Sequence, residues 1–107
     1  MSRSRAWCFT INNPVDDTVP QSWPFEYLVY QKEQGESKTP HLQGYVYADN
    51  KKSLTQMKKL DATAHWEPAK GTAADNKAYC TKEDGRLAGP WELGVQPPIF
   101  SYCLNIH

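Results

Sequence analysis

Two segments constrain this chain more than any others: FEYLVYQKE at residues 25–33 and HLQGYVYAD at residues 41–49. Both are strand-like in composition, and the polar stretch QGESKTP, residues 34–40, separates them, so an antiparallel hairpin is expected. If that loop closes an in-register hairpin, Glu33 sits opposite His41, and opposite residues share a face. Gln43, two residues beyond His41, leaves the same face, while Leu42 points away. A carboxylate, an imidazole and an amide oxygen are thereby predicted to converge without help from any distant segment.

The remaining chain supplies elements to build around this hairpin. In CFTINN, residues 8–13, and the preceding Trp7, the apolar Trp7, Phe9 and Ile11 alternate with Cys8, Thr10 and Asn12. One face reads as core, and the other offers a thiol, a hydroxyl and an amide, of which the last two can meet sugar, phosphate or base edges. PVDDTVPQSWP, residues 14–24, holds three prolines and predicts a crossover with no more than a turn or so of helix. Ser53 followed by Gln56 resembles a capping box for a helix to about Leu60, with Leu54, Met57 and Leu60 as its apolar edge. TAHWEPA predicts a short strand. Thr72 can cap a second helix, Asp75 suits its first turn, and the alanines carry it toward a stop at Gly85, with Tyr79 and Lys82 one turn apart. PWELGV predicts a last strand.

The expected fold is therefore α+β: an antiparallel sheet of about five strands with helices mainly on one face, in the order strand, short crossover, hairpin, helix, strand, helix, strand. Residues 1–95 are expected to form one domain, since 107 residues are too few for two independent cores. Residues 96–107, QPPIFSYCLNIH, are a tail with no assigned function.

Composition narrows the class of protein. No segment has the length and apolarity to span a membrane, and the start MSRSRAWCF lacks the apolar run of a signal peptide, so a cytosolic or nuclear protein is expected. Three cysteines without close metal-type spacing argue for reduced thiols rather than a disulfide framework. Twelve basic and twelve acidic residues balance, so total charge does not announce a nucleic-acid partner. Locally, Arg3 and Arg5 ahead of the first strand, and Lys51, Lys52, Lys58 and Lys59, are compatible with a phosphate-binding patch or with an ordinary solvated surface.

The Glu33, His41 and Gln43 set suits Mg²⁺ or Mn²⁺, with water and substrate phosphate completing the shell, whereas a tight zinc site recruits more histidine or cysteine. Glu36 lies near enough in sequence to compete with Glu33 as the acid. A phenol is a poor nucleophile at neutral pH. A metal that polarises a phosphate, together with Lys82 to stabilise developing charge, would let Tyr79 attack phosphorus. His65 and Glu67 share a strand face and read as a surface pair.

CFTINN at 8–13, HLQG at 41–44 and YCTK at 79–82 resemble, in this order, the three motifs of the replication initiators of small circular single-stranded DNA viruses, the nanovirus, circovirus and satellite branch of the HUH endonucleases. HWEPAKGT at 65–72 and the TPHLQG context extend the resemblance over roughly residues 6–95. The resemblance implies a nuclease that nicks the loop of an origin hairpin, keeps the 5′ phosphate on a tyrosine, leaves a 3′ hydroxyl for rolling-circle synthesis and later rejoins strands. It makes His41, Gln43 and the upstream acid Glu33 metal ligands, Tyr79 the nucleophile and Lys82 its supporting cation. It gives Phe9, Thr10 and Asn12 a part in origin recognition or in shaping the site. The partners implied are viral single-stranded origin DNA with its adjoining stem and the host replication machinery, in the host nucleus. The broader HUH pattern has a second histidine where Gln43 stands, which favours hard ions. The Gly-rich phosphate loop of the helicase domain that such proteins commonly carry does not occur in these residues.

The competing class is a passive single-strand-binding module of RRM type, with Tyr45 and Tyr47 stacking bases on the face of His41.

Overall fold

The antiparallel hairpin forms as expected, from β2 (Tyr27–Gln34) and β3 (Pro40–Ser53), with Glu33 facing His41 and Gln31 facing Gln43. The structure, a computed structural model, describes residues 3–36 and 38–97, so the tail from 98 onward and Ser37 of the hairpin loop lie outside the described residues. Around the hairpin, β1 (Arg3–Asn12), β4 (His65–Pro68) and β5 (Arg86–Gly94) complete one five-stranded antiparallel sheet in the order β4-β1-β3-β2-β5. This is the α+β arrangement that the element order predicted, and its strand order is ferredoxin-like. Between β1 and β2 the proline-rich crossover holds a single 3-10 turn at Val19–Ser22.

Strand alternation divides the sheet into two unlike faces. Trp7, Phe9 and Ile11 of β1, Leu28 and Tyr30 of β2, and Leu42 and Val46 of β3 form the larger core with Ala64 and Trp66. Trp23 and Phe25 of the crossover and Met57 of α1 (Leu54–Leu60) cover this face. Each large apolar side chain so buried contributes roughly 1.5–3 kcal/mol. The crossover is tied down by Tyr30, whose hydroxyl donates to the Asp17 carbonyl at 2.6 Å and accepts from Gln21 Nε2 at 3.0 Å. The second face has only a small core of Tyr27, Val29, Tyr45, Ala73 and Cys80 beneath α2 (Ala73–Cys80). The crossover and α1 thus cover the first face, and α2 crosses the other, leaving polar side chains on the rest of that face.

Several boundaries differ from expectation for local reasons. Arg3 and Arg5 belong to β1 rather than to a leader, because β3 runs on to Ser53 and Arg3 pairs with it. In α1 the capping box of Ser53 and Gln56 is present, but only Met57 is buried, and Leu54 and Leu60 are exposed. A helix of seven residues presents little more than one position to a sheet. The second helix ends at Cys80, earlier than Gly85, because Thr81 leaves helical geometry. Lys82 therefore sits in the turn beyond the helix. β5 begins at Arg86, before the PWELGV run.

Gly44 shows how tightly the first core is packed. It pairs with Phe9 on one side and Tyr30 on the other, and a Cβ there would lie 2.3 Å from Phe9 Cε1 and 2.6 Å from Tyr30 Cβ. The Phe9 ring and the Tyr30 Cβ occupy the space that a side chain would need. Gly44→Ala is expected to destabilise the domain by about 1–3 kcal/mol through overpacking. A urea unfolding midpoint unchanged from the parent chain would refute that packing account.

Candidate active site

At the open end of the polar face, His41 Nε2 lies 3.4 Å from Glu33 Oε1. The register of β2 against β3 brings them opposite each other, so no long-range contact is needed for the approach. His41 Nδ1 is 3.2 Å from the Thr39 carbonyl, which can only accept, so Nδ1 carries a proton and Nε2 can present its lone pair. A lone pair facing a carboxylate oxygen at that spacing is satisfied by a shared proton or by a cation between them. The other carboxylate oxygen, Glu33 Oε2, accepts from Gln31 Nε2 and from Lys82 Nζ, each at 2.7 Å. One oxygen is held and the other is turned toward the imidazole.

Gln43 leaves the strand on the same side two residues on, and the Thr10 hydroxyl donates to its Oε1 at 3.1 Å. That bond orients the amide oxygen and leaves a second lone pair. Among the described residues no three His, Cys, Asp or Glu side chains gather as a metal cluster, so the candidate donors are one carboxylate, one imidazole and an amide. This set fits a hard, partly hydrated ion such as Mg²⁺ or Mn²⁺ better than zinc. The corner opens into a cleft of about 440 Å³ whose lining adds Glu36, Asp84 and Gly85. Glu36 is exposed on that lining, and Glu33 is the acid that faces His41.

Lys82 links this corner to Tyr79. Its Nζ, 2.7 Å from Glu33 Oε2, stands 4.2 Å from the centroid of the Tyr79 ring. Tyr79 is 56% exposed, whereas Tyr27, Tyr30 and Tyr45 are buried and Tyr47 is half-buried. Burial pushes the Tyr45 phenol up to about 12. The next residue, Cys80, is buried on the sheet-facing side of α2 and its thiol is pushed up to about 12, chiefly by burial, so it stays protonated at neutral pH. α2 is seated by Thr72 and Asp75, a reciprocal capping box. It is anchored by buried Asn76, which donates to the carbonyls of Lys70 and Thr72 and accepts from the Cys8 thiol.

The candidate nucleic-acid residues separate. Thr10 and Asn12 lie on the polar face beside the corner, opposite Gln43 and His41. Phe9 does not: it is 1% exposed, in the aromatic core with Trp23, Tyr30 and Trp66 on the opposite face, so it shapes the strand and cannot touch DNA. Strand alternation, which already assigned Phe9 to the core face, is the physical reason. Arg3 and Arg5 lie nine and seven residue steps from Asn12 along β1, roughly 23–30 Å, toward the end of the ladder where β3 carries Lys51 and Lys52. Arg5 is engaged there, stacked 4.6 Å over Tyr47 and 3.7 Å from Glu26, and Lys52 lies 3.9 Å from Asp49, while Arg3 and Lys51 are exposed. His65 and Glu67 pair with each other on the surface at 3.2 Å. Tyr45, needed as a stacking platform by the RRM-type reading, is buried in the core beneath α2.

Two residues at the corner went unnoticed in the sequence, Gln31 and Arg86. Gln31 was within reach of the hairpin logic, since it lies two residues before Glu33 and opposite Gln43. Arg86 had no such signal, because its place depends on how β5 pairs with β2.

A family model described as "Putative viral replication protein" matches residues 4–83. The chain is 49% identical over 88 residues to the master replication protein of Milk vetch dwarf virus (isolate N), covering 82% of this chain and 30% of that protein. It is 51% identical over 87 residues to the replication-associated protein of Beak and feather disease virus, covering 77% of this chain and 30% of that protein. It is 37% identical over 89 residues to Para-Rep C1 of Milk vetch dwarf C1 alphasatellite, covering 82% and 31%. The matches thus span less than a third of the length of these curated relatives. With the family match covering most of the chain, and relatives at about half identity from plant and bird viruses, this protein belongs to the family of viral replication proteins.

Proposed function

We propose that this domain is a metal-dependent single-stranded DNA nicking and joining endonuclease that opens a viral origin for rolling-circle replication. The observation that carries the reading is the Lys82 ammonium, which touches the Glu33 carboxylate and the face of the Tyr79 ring at once. Glu33, His41 and Gln43 would hold Mg²⁺ or Mn²⁺, which when bound supplies Lewis-acid polarisation of the scissile phosphate. Tyr79 provides the nucleophile: its phenol gives up a proton, its oxygen forms a bond to phosphorus, and the 3′ oxygen leaves and takes up a proton. The 5′ phosphate stays on Tyr79 until a 3′ hydroxyl attacks it in the reverse sense and rejoins a strand. Lys82 offsets negative charge developing on the oxygens of phosphorus. Thr10 and Asn12, on the same face as the corner, meet the strand near the cleavage point.

The substrate class is a single-stranded origin loop with its adjoining stem. The cations at the far end of the β1–β3 ladder, Arg3, Arg5, Lys51 and Lys52, take phosphates beyond the cleavage point. Replication of such an origin draws on host polymerases and takes place in the host nucleus. Among the described residues no helix is long and apolar enough to cross a membrane. Residues 1–95 act as the endonuclease unit, and no role is assigned to residues 96–107.

Incubation with single-stranded loop oligonucleotides and Mn²⁺ is expected to give a denaturation-resistant adduct whose DNA is joined through its 5′ phosphate to the Tyr79 peptide. Tyr79→Phe keeps the ring and removes the attacking oxygen, so it should bind DNA and form no adduct. Ordinary cleavage by Tyr79→Phe, or an adduct mapped by mass spectrometry to Tyr47, would overturn the assignment. Lys82→Ala should still form the adduct, slowed by roughly 10²-fold or more. His41→Ala should weaken Mn²⁺ binding by more than about tenfold in a folded domain, and calorimetric titration decides it. For the basic end, single-strand affinity is expected to fall as salt rises. Arg3→Ala or Lys51→Ala should each flatten the salt slope by about 0.7, and a slope equal to that of the parent would remove that residue from the DNA path.

A further inference from the structure

Gln31 is completely buried, yet its amide is fully engaged at the edge of the catalytic corner. Its Nε2 donates to Glu33 Oε2 at 2.7 Å and to the Lys82 carbonyl at 2.8 Å, and its Oε1 accepts from Arg86 Nε at 2.9 Å. Arg86, the first residue of β5, also sends Nη2 to the Thr81 carbonyl at 2.6 Å. Two consecutive carbonyls just past the C-terminus of α2 are therefore gripped, the first by a guanidinium from β5 and the next by an amide from β2.

The chemistry of each contact explains why these residue types serve. The carbonyls just past the end of a helix have no intrahelical donor, and a cation there also meets the negative end of the helix dipole. An arginine can supply two donors in a fixed fork, here one to Gln31 and one to Thr81, where a lysine offers a point charge on a flexible stem. A buried amide is tolerable only when its hydrogen bonds are made. An apolar residue of similar size would fill the same space without that demand, so packing alone does not call for glutamine.

The consequence lies in what the clamp joins. Gln31 and Lys82 both hold Glu33 Oε2, which leaves Oε1 as the oxygen turned to His41. Tyr79 lies only two and three residues before the gripped carbonyls of Thr81 and Lys82. We propose that Gln31 and Arg86 are positioning residues that couple the rotation of the Glu33 carboxylate to the placement of the Tyr79-bearing end of α2, so that the metal site and the nucleophile are set by one buried hydrogen-bond network. This rests on the reading of Glu33 and His41 as metal ligands and Tyr79 as nucleophile.

The test uses the full chain with Gln31→Met, which keeps the volume and removes the three hydrogen bonds, and Arg86→Lys, which keeps the charge and loses the fork. Neither substitution changes net charge, so a change in cation affinity cannot be assigned to altered Coulomb attraction. Mn²⁺ affinity is read from the free-ion EPR signal. Cleavage is read under single turnover at saturating Mn²⁺ on an oligonucleotide that the parent chain cuts. Both variants are expected to bind Mn²⁺ about tenfold more weakly and to cleave at least about tenfold more slowly even when saturated. The double variant should lose little more than the worse single one, because the pair acts as a unit. If Gln31→Met does not fold, the half-buried Arg86 still provides the test. Parent-like Mn²⁺ affinity in a folded variant would overturn the link to Glu33, and full recovery of rate at saturating Mn²⁺ would overturn the link to Tyr79. A parent chain that neither binds Mn²⁺ nor cuts DNA would instead overturn the functional reading, and the coupling with it.

Discussion

The antiparallel pairing of β2 with β3 is the constraint on which the rest of the site depends. A slip of one residue would turn Glu33 and His41 to opposite faces and would carry Leu42 and Val46 out of the core. The core forbids that slip, since Tyr30 and Phe9 flank Gly44 where no side chain fits. Hydrophobic packing on one face thereby enforces the register of the polar groups on the other. The chemical corner is a by-product of the same ladder that buries the aromatic residues.

The two faces carry different burdens. One takes most of the large apolar side chains and the cover of the crossover and α1, and it provides most of the stabilisation. The other is free to hold polar groups because only α2 crosses it, over a small core. That division lets a small domain keep an open cleft without losing its core. It also explains the fates of the tyrosines, with Tyr27 and Tyr45 packed under α2 and Tyr79 exposed on α2 beside Lys82. The hydroxyl of Tyr27 still has a partner, donating to Glu92 at 2.5 Å, and Glu92 is paired with Lys77 at 3.0 Å, which ties α2 to β5.

Neutral total charge conceals two local groupings. Arg3, Arg5, Lys51 and Lys52 lie where β1 begins and β3 ends, with Arg5 and Lys52 beside Glu26 and Asp49, while the cleft at the other end carries Glu33, Glu36 and Asp84 around Lys82. At physiological salt, charges separated by more than a Debye length of about 8 Å scarcely feel each other. The two ends, roughly 30 Å apart along the strand, therefore act as independent electrostatic surfaces.

The residues by themselves determined what depends on short range. Period-two alternation and the seven residues between Glu33 and His41 specify the hairpin and that facing pair. Serine with glutamine, and threonine with aspartate, three residues apart, specify where the two helices start. Tertiary structure decided what depends on elements distant in sequence. Leu54 and Leu60 were left exposed because a seven-residue helix meets the sheet through Met57. Lys82 was drawn to Glu33 because the chain leaves α2 at Thr81, where Gln31 and Arg86 hold its carbonyls. Arg86 could reach that corner only once β5 had paired with β2, a contact spanning more than fifty residues of chain that no local pattern encodes.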